Sequence, residues 1–265
     1  MADYLFNYEC LDSTNLEALR HIDLLKDNLS GKYWFCAAEQ SGGRGQRNRI
    51  WSSPIGGIYI SVLYSPPATL TLPQNRSLIS LAAGKTVFRL LSEIFQNNSQ
   101  SEFLSAPLKY HWSNDIYYNN CKIAGMLTET AAETAFVTGF GVNINSEINL
   151  SSGGGIRPVT VSQILNRQLE LSPIITRLQK IWAEELNSAE KYLEGRFPDY
   201  ISQFESHLAW LNAPVEVYNT EEAKVNSVSG ILRGLTPAGF LRLETLDGET
   251  IVNSGSIRQG KTKEE

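Results

Sequence analysis

The sequence changes its pattern near residue 211, and this change constrains the fold more than any other feature. Up to residue 210, segments with the two-residue period of strands are mixed with segments of helical period, the longest of them predicted over Asn75–Phe95. Later segments are short alternating runs separated by turn sequences such as Asp247-Gly248. The sequence therefore predicts an α/β (mixed α+β) domain over residues 1–210 and a small antiparallel β-barrel over residues 211–265.

The charge balance argues against a nucleic-acid-binding protein. The chain carries 23 Lys and Arg residues against 28 Asp and Glu residues, a formal net charge of −5, whereas domains that bind DNA or RNA usually carry an excess of positive charge. We expect no signal peptide and no membrane partner, because no apolar run is long enough for a bilayer. The three cysteines are widely spaced and form no CxxC pair, which favours reduced thiols and a cytoplasmic location.

The segment Gly42–Trp51 is the strongest candidate for a ligand-binding loop. It combines three glycines with three arginines between two predicted strands. Glycine lets the backbone bend sharply and exposes main-chain N–H groups, and arginine binds carboxylates and phosphates through two parallel hydrogen bonds. The pattern favours an anion-binding site, and a solvated hairpin loop is the alternative.

Polar residues at the ends of later predicted strands form a second group of candidates. Asn114 and Asp115 follow one strand and are suited to orient a ribose, a phosphate or Mg²⁺. Lys122 opens a strand that is otherwise apolar, so we expect its ammonium group to face an anion. For each residue taken separately, a turn-forming Asn-Asp pair and a lysine that extends its charge into solvent are the alternatives.

Glycine alternates with larger residues in the segment that ends at Asn143. Gly139 and Gly141 would leave one face of a strand bare, so that a flat ring can lie against it. Asn143 could then form a hydrogen bond with a nucleotide. A β-bulge is the alternative interpretation of this segment.

Together these segments resemble the motifs of the biotin protein ligases (biotin–[acetyl-CoA-carboxylase] ligases), in the same order along the chain. The resemblance implies a catalytic domain like that of class II aminoacyl-tRNA synthetases, followed by an SH3-like β-barrel. It also implies an ATP-dependent ligase that uses Mg²⁺ to convert biotin and ATP to biotinyl-5′-AMP. Biotin is then transferred to a lysine of a biotin carboxyl carrier protein, such as an acetyl-CoA carboxylase subunit. The matching segments are Asp12–Asn15, Glu39–Gln40, Gly43–Gly56, Trp112–Asp115, Lys122–Gly125 and Gly139–Asn143.

The same resemblance implies a role for each motif residue. Lys122 and Arg44 are the expected catalytic residues, with Lys122 bridging the biotin carboxylate and the α-phosphate, and Asp115 is expected to help position Mg²⁺. The expected biotin-binding residues are Ser13, Thr14, Asn15, Gln40, Gly43, Arg44, Gly45, Gln46, Lys122 and Gly125. The expected nucleotide-binding residues are Arg47, Arg49, Trp51, Asn114, Lys122 and Asn143.

Several positions depart from the common pattern of this family. Gln46 replaces an arginine, which is expected to weaken retention of the adenylate, and Asn48 replaces a glycine. His111 replaces a lysine, so a titratable group stands in place of a permanent cation. These departures motivate one alternative, a biotin-binding pseudoenzyme; a lipoate or octanoate ligase or transferase of the related fold is the other.

Some members of the family carry an N-terminal winged helix that binds DNA. In this sequence the first motif begins at Asp12. We therefore expect no DNA-binding repressor activity. The working form is expected to be a monomer or a homodimer.

Overall fold

The structure is a computed structural model, and it describes residues 3–27, 30–98, 108–147, 157–218 and 227–260. A seven-stranded sheet forms the centre of its larger part. The strand order is β1-β2-β3-β7-β6-β5-β4, in which β1 and β2 are parallel and all other neighbours are antiparallel. The strands are β1 (Asp3–Leu11), β2 (Lys32–Gln40), β3 (Ile58–Tyr64), β4 (Leu108–His111), β5 (Asp115–Tyr118), β6 (Cys121–Ala132) and β7 (Ala135–Val142).

Helices cover the two faces of this sheet unequally. Alternate residues of β2 enter different cores: Trp34 packs with the long helices α4 and α6, whereas Tyr33 and Phe35 pack with α1. Helix α1 contacts mainly β2 and β3 and, to a smaller extent, β7. On the same face of the sheet, residues of β5, β6 and β7 line a cleft. The helices are α1 (Thr14–Arg20), α2 (Leu24–Asp27), α3 (Ala68–Thr71), α4 (Ser77–Asn98), α5 (Val161–Leu165), α6 (Leu171–Leu193) and α7 (Ser202–Glu205).

The prediction of a mixed α/β domain is confirmed, and so is the long helix predicted over Asn75–Phe95, which is α4. Its apolar residues recur at helical spacing and are buried under the sheet. The Asn119-Asn120 pair forms the tight turn between β5 and β6, with φ values of 47° and 60°. Asparagine tolerates this left-handed backbone conformation better than most residues, so the turn type follows from the sequence.

The C-terminal segment forms a five-stranded antiparallel sheet in the order β11-β10-β9-β8-β12. The predicted barrel is wrong in one respect: within the described residues, the edge strands β11 and β12 are not paired, so the sheet is not a closed barrel. The connection after β11 contains Gly255, whose φ of 146° lets the chain cross to the far edge and pair with β8. The strands are β8 (Pro214–Tyr218), β9 (Val228–Leu235), β10 (Leu241–Thr245), β11 (Gly248–Val252) and β12 (Ser256–Gln259).

We propose that the boundary between the two parts lies near residue 210. Leu208 still forms a parallel bridge with Tyr110 of the larger sheet, whereas the five-stranded sheet begins at Pro214. Alternation in the sequence predicts a strand over residues 223–235; residues 223–226 lie outside the described residues, and β9 (Val228–Leu235) forms most of the remainder.

Candidate active site

The free face of the seven-stranded sheet and the edge of the C-terminal sheet line a cleft of about 370 Å³. All predicted site residues except Gly43 and Arg47 line this cleft. Gly43 lies at the neck of the glycine-arginine loop, where its carbonyl accepts from the Trp51 backbone N–H at 2.9 Å. A Cβ atom at position 43 would lie 2.3 Å from the Trp51 carbonyl oxygen, so this close approach requires glycine.

The first turn of α1 brings three polar side chains to the cleft. Ser13 caps the helix, because its Oγ accepts from the Leu16 backbone N–H at 3.5 Å. Thr14 and Asn15 follow in the first turn and are each 4% exposed. Helix geometry therefore fixes the predicted biotin-binding residues of this motif at one end of the cleft.

A polar network joins this turn to β2 and β3. Gln40 Oε1 accepts from the Thr14 backbone N–H at 2.8 Å and lies 3.2 Å from Thr14 Oγ1. Ser61 Oγ lies 2.7 Å from Thr14 Oγ1 and 2.6 Å from Asn15 Oδ1. The network contains three contacts between side-chain oxygens, but only the hydroxyls of Thr14 and Ser61 carry a proton that can be donated. The carboxamide oxygens of Gln40 and Asn15 only accept hydrogen bonds. One contact is therefore always without a proton, so the network has more acceptor than donor capacity, and an N–H group of a ligand could donate to one of its oxygens.

Two residues of this network are absent from the predicted site. Ser61 is fully buried in β3, and Ser53 accepts from Gln40 Nε2 at 2.7 Å. A serine inside the apolar run of β3 is a signal in the sequence, since a buried hydroxyl requires a partner.

Lys122 lines the cleft and lies beside a carboxylate. Its Nζ is 2.7 Å from Asp115 Oδ2 and 5.1 Å from the centre of the Trp51 ring. Lys122 pairs with Tyr117, and Ala124 with Ile116, so Ile123 is an extra residue in β6. This bulge places Lys122 on the same sheet face as Gly125, although their spacing in a regular strand would put them on opposite faces.

An aromatic ring lies against the bare strand face that the alternating glycines form, as the sequence pattern predicts. This ring is the indole of Trp51, a residue of the protein itself. A Cβ atom at Gly141 would lie 2.6 Å from Trp51 Nε1, and one at Gly125 would lie 3.0 Å from Trp51 Cζ3. The Trp51 indole therefore lies flat on the backbone of these two paired glycines, where its Nε1 is buried without a hydrogen-bond partner among the described residues. The bulge considered for Gly139–Asn143 is wrong, since the register is continuous from Gly139 to Val142.

The two asparagines predicted to bind the nucleotide also hold the backbone of β6. Asn114 Nδ2 donates to the Met126 carbonyl at 2.7 Å, and Asn143 Nδ2 donates to the Lys122 carbonyl at 3.3 Å. Both side chains line the cleft. They are thus placed to orient the strand that carries Lys122 as well as to contact a ligand.

The arginines of the glycine-arginine loop point in different directions. Arg44 lines the cleft, with its Nη2 3.3 Å from Glu129 Oε1, a residue absent from the predicted site. Arg47 instead donates to Ser256 Oγ at 2.8 Å, so it contacts the C-terminal sheet, and it does not line the cleft. Arg49 Nη2 lies 3.5 Å from the same hydroxyl and also lines the cleft. The C-terminal sheet therefore holds one side of the loop.

Two parts of the chain match family models. Residues 8–145, more than half of the chain, match the biotin/lipoate A/B protein ligase family, and residues 223–258 match the biotin protein ligase C terminal domain. The chain belongs to the biotin/lipoate A/B protein ligase family. The resemblance to biotin protein ligases seen in the sequence motifs is thereby confirmed.

Relatives of this ligase family member cover nearly its whole length. It is 27% identical over 253 residues to the biotin–[acetyl-CoA-carboxylase] ligase of Paracoccus denitrificans, covering 93% of this chain and 96% of that relative. It is 25% identical to the bifunctional ligase/repressor BirA of Bacillus subtilis (strain 168), in a match that covers 98% of this chain and 75% of that relative. A similar solved structure is that of the biotin protein ligase from Aquifex aeolicus in complex with biotin and ATP. It matches with a TM-score of 0.77 and 26% identity, and the match covers 97% of this chain and 99% of that one.

Position 111, where this ligase departs from the family pattern, carries no positive charge at neutral pH. Burial, followed by the nearby charge of Lys122, lowers the pKa of His111 from 6.5 to about 4. Its ring stacks on Tyr117 with centroids 3.7 Å apart and contacts Trp210 at 4.4 Å. The histidine therefore acts as an aromatic wall of the cleft. Gln46, a second position that departs from the pattern, donates to Ser113 Oγ at 3.3 Å.

We expect His111→Gln to weaken the pH dependence of folding stability between pH 6.5 and 4. In that range the unfolded chain binds a proton at this histidine and the folded chain does not, so wild-type stability falls as the pH falls. Removing the group lowers the slope of unfolding free energy against pH by at most about 1.4 kcal/mol per pH unit. Urea melts at several pH values measure this slope, and an NMR titration of His111 near pH 6.5 would contradict the assignment.

Proposed function

We propose that this member of the biotin protein ligases activates biotin with ATP in the described cleft and transfers it to a lysine of a carrier protein. The observation that carries the proposal is the convergence of Lys122 and Arg44 on one cleft whose far end bears the Thr14–Asn15 network. The cations suit a carboxylate and a phosphate, and the network suits the polar ureido ring of biotin.

In the first step, a carboxylate oxygen of biotin forms a bond to the α-phosphorus of ATP, and the bond from that phosphorus to the bridging oxygen of pyrophosphate breaks. Two anions must approach each other for this reaction. Lys122, with its ammonium inside the cleft, stabilises the charge that builds on the phosphate oxygens, and Arg44 holds the carboxylate. The roles of these two residues as catalytic groups are part of the proposal.

In the second step, the uncharged amine of a carrier lysine attacks the acyl carbon of biotinyl-5′-AMP. An amide bond forms, the bond to the AMP oxygen breaks, and the proton of the amine is released to solvent. We propose a biotin carboxyl carrier protein as the acceptor, since the name of the Paracoccus denitrificans relative gives acetyl-CoA carboxylase as the protein joined to biotin. The loop that carries Arg44 and Arg49 closes one side of the cleft and shields the adenylate from water.

The donor groups fit a magnesium ion that arrives with ATP. Within the described ranges, no cluster of three or more His, Cys, Asp or Glu side chains could hold a metal. Magnesium is usually held by one or two carboxylates together with substrate phosphates, and Asp115 supplies one carboxylate in the cleft. When bound, the ion would neutralise phosphate charge.

We propose the cytoplasm as the site of the reaction. Cys10, Cys36 and Cys121 are all free thiols, as expected in a reducing compartment. Among the described helices, none has the length and apolar character needed to cross a membrane.

Biotin-dependent exchange of labelled pyrophosphate into ATP tests the proposed activity. We expect exchange with biotin and ATP together and none when biotin is omitted, because the adenylate forms reversibly before transfer. Lipoate in place of biotin is expected to support little exchange. Preferential exchange with lipoate would identify the alternative ligase class, and biotin binding without exchange would identify a pseudoenzyme.

A further inference from the structure

Glu129 connects the two ends of the proposed biotin site. One of its carboxylate oxygens, Oε2, accepts from Asn15 Nδ2 at 2.7 Å. The other, Oε1, lies 3.3 Å from Arg44 Nη2. Asn15 belongs to the network at the ring end of the site, and Arg44 is the proposed ligand of the biotin carboxylate. The Glu129 side chain therefore contacts one residue from the ring end of the site and one residue from the carboxylate end.

The surroundings of Glu129 make this contact more than a surface ion pair. The Glu129 side chain is 23% exposed and that of Arg44 is 33% exposed, so solvent screens the pair only in part. Asn15 is almost fully buried, and its Nδ2 also lies 3.3 Å from the Leu127 carbonyl. The hydrogen bond from Asn15 to Oε2 thus holds the Glu129 carboxylate in place, and its other oxygen, Oε1, faces Arg44.

Arginine needs such a partner because its side chain is long and loses much rotamer freedom when it is ordered. The backbone at Arg44 is already held by its bridge to Ile50. A guanidinium group has five N–H donors. Glu129 contacts one end of it, at Nη2, so other donors remain available for a substrate carboxylate.

From this geometry we infer that Glu129 is a positioning residue that presents Arg44 to the carboxylate of biotin. The inference rests on the proposed function and names a residue outside the predicted site. Ordering the guanidinium before the ligand arrives lowers the entropic cost of binding, and it favours ligands that carry a carboxylate.

A comparison of biotin with biotinol, in which a hydroxymethyl group replaces the carboxylate, tests the inference. In Glu129→Gln, the amide oxygen can still accept from Asn15, but the charge that holds Arg44 is lost. We expect about tenfold weaker binding of biotin by calorimetry, with biotinol affinity within about twofold of the wild type. Glu133→Gln, the same charge change at an exposed residue after β6, should leave both affinities unchanged.

Equal weakening of both ligands would overturn the inference, because Glu129 would then act through Asn15 on the ring end. Unchanged binding of both would overturn it as well. Arg44→Gln provides a second variant: in that background, adding Glu129→Gln should not weaken biotin binding further, and a full additional loss would contradict a role through Arg44. Failure of the wild type to bind either ligand would instead reject the proposed function.

Discussion

Replacing Lys122 by alanine lowers kcat/KM for biotin-dependent pyrophosphate exchange by about 100- to 1000-fold, the loss typical of one preorganised group at a site of developing charge. The ammonium lies within the cleft, 2.7 Å from Asp115 and over the Trp51 ring, so it is already desolvated in part before substrates bind. A charge in such a site stabilises a phosphate oxygen more strongly than the same charge in water.

Two further variants separate the charge of Lys122 from its packing. Lys122→Met retains an unbranched apolar side chain against Gly125 and Trp51 and should lose as much activity as the alanine variant. Lys109→Ala removes the same charge from a partly buried position in β4, which β5 separates from the strand of Lys122, and should retain exchange. Thermal melts of each variant show whether the fold is intact. Full activity in Lys122→Ala would reject the mechanism.

Gly139→Ala is expected to disrupt the ring end of the site. A Cβ atom at this position would lie 2.1 Å from Asn15 Oδ1 and 3.1 Å from Ser61 Oγ. Asn15 cannot retreat without breaking its contacts with Ser61 and Glu129, which are both close. Overpacking and the loss of two hydrogen bonds together should lower the free energy of unfolding by about 2–4 kcal/mol.

The same change should weaken biotin binding by about tenfold, the loss expected when a displaced Asn15 no longer makes one hydrogen bond to the ligand. Calorimetric titration with biotin and a urea melt measure the two effects. Gly42→Ala is the matched control, since its Cβ would meet only the Asp12 carbonyl oxygen at 3.4 Å, an ordinary contact. Biotin affinity equal to that of the wild type in Gly139→Ala would show that Asn15 does not contribute to the site.

Much of the site could be predicted because its residues lie in short linear motifs. Helix capping at Ser13 and the strand alternation that aligns Gly139 with Gly141 are local effects, decided by neighbours in the sequence. These effects set the local direction of the predicted side chains, and the packing of the strands then brings most of them to one cleft. Arg47 was harder to place, since its contact with Ser256 joins residues 209 positions apart.

The charge at position 111 could not be predicted from residue type. A histidine at this position titrates near 6.5 in water, and its neutral state in the fold comes from burial between Tyr117 and Trp210 and from the nearby Lys122. Similarly, glycine alternation predicted a bare strand face, but the side chain that covers it, Trp51, comes from a loop. Each outcome depends on which distant groups pack together.

The sequence by itself determined the mixed α/β class, the family and the polar and glycine motifs that supply part of the cleft lining, because periodicity and motif order are properties of short segments. Only the tertiary structure decided the partners of those residues. The bulge at Ile123 turns Lys122 toward the cleft, and Glu129 reaches Asn15 across a separation of 114 residues. Such contacts follow from how strands and helices pack. A local sequence pattern around one residue does not show which distant residue will be its partner.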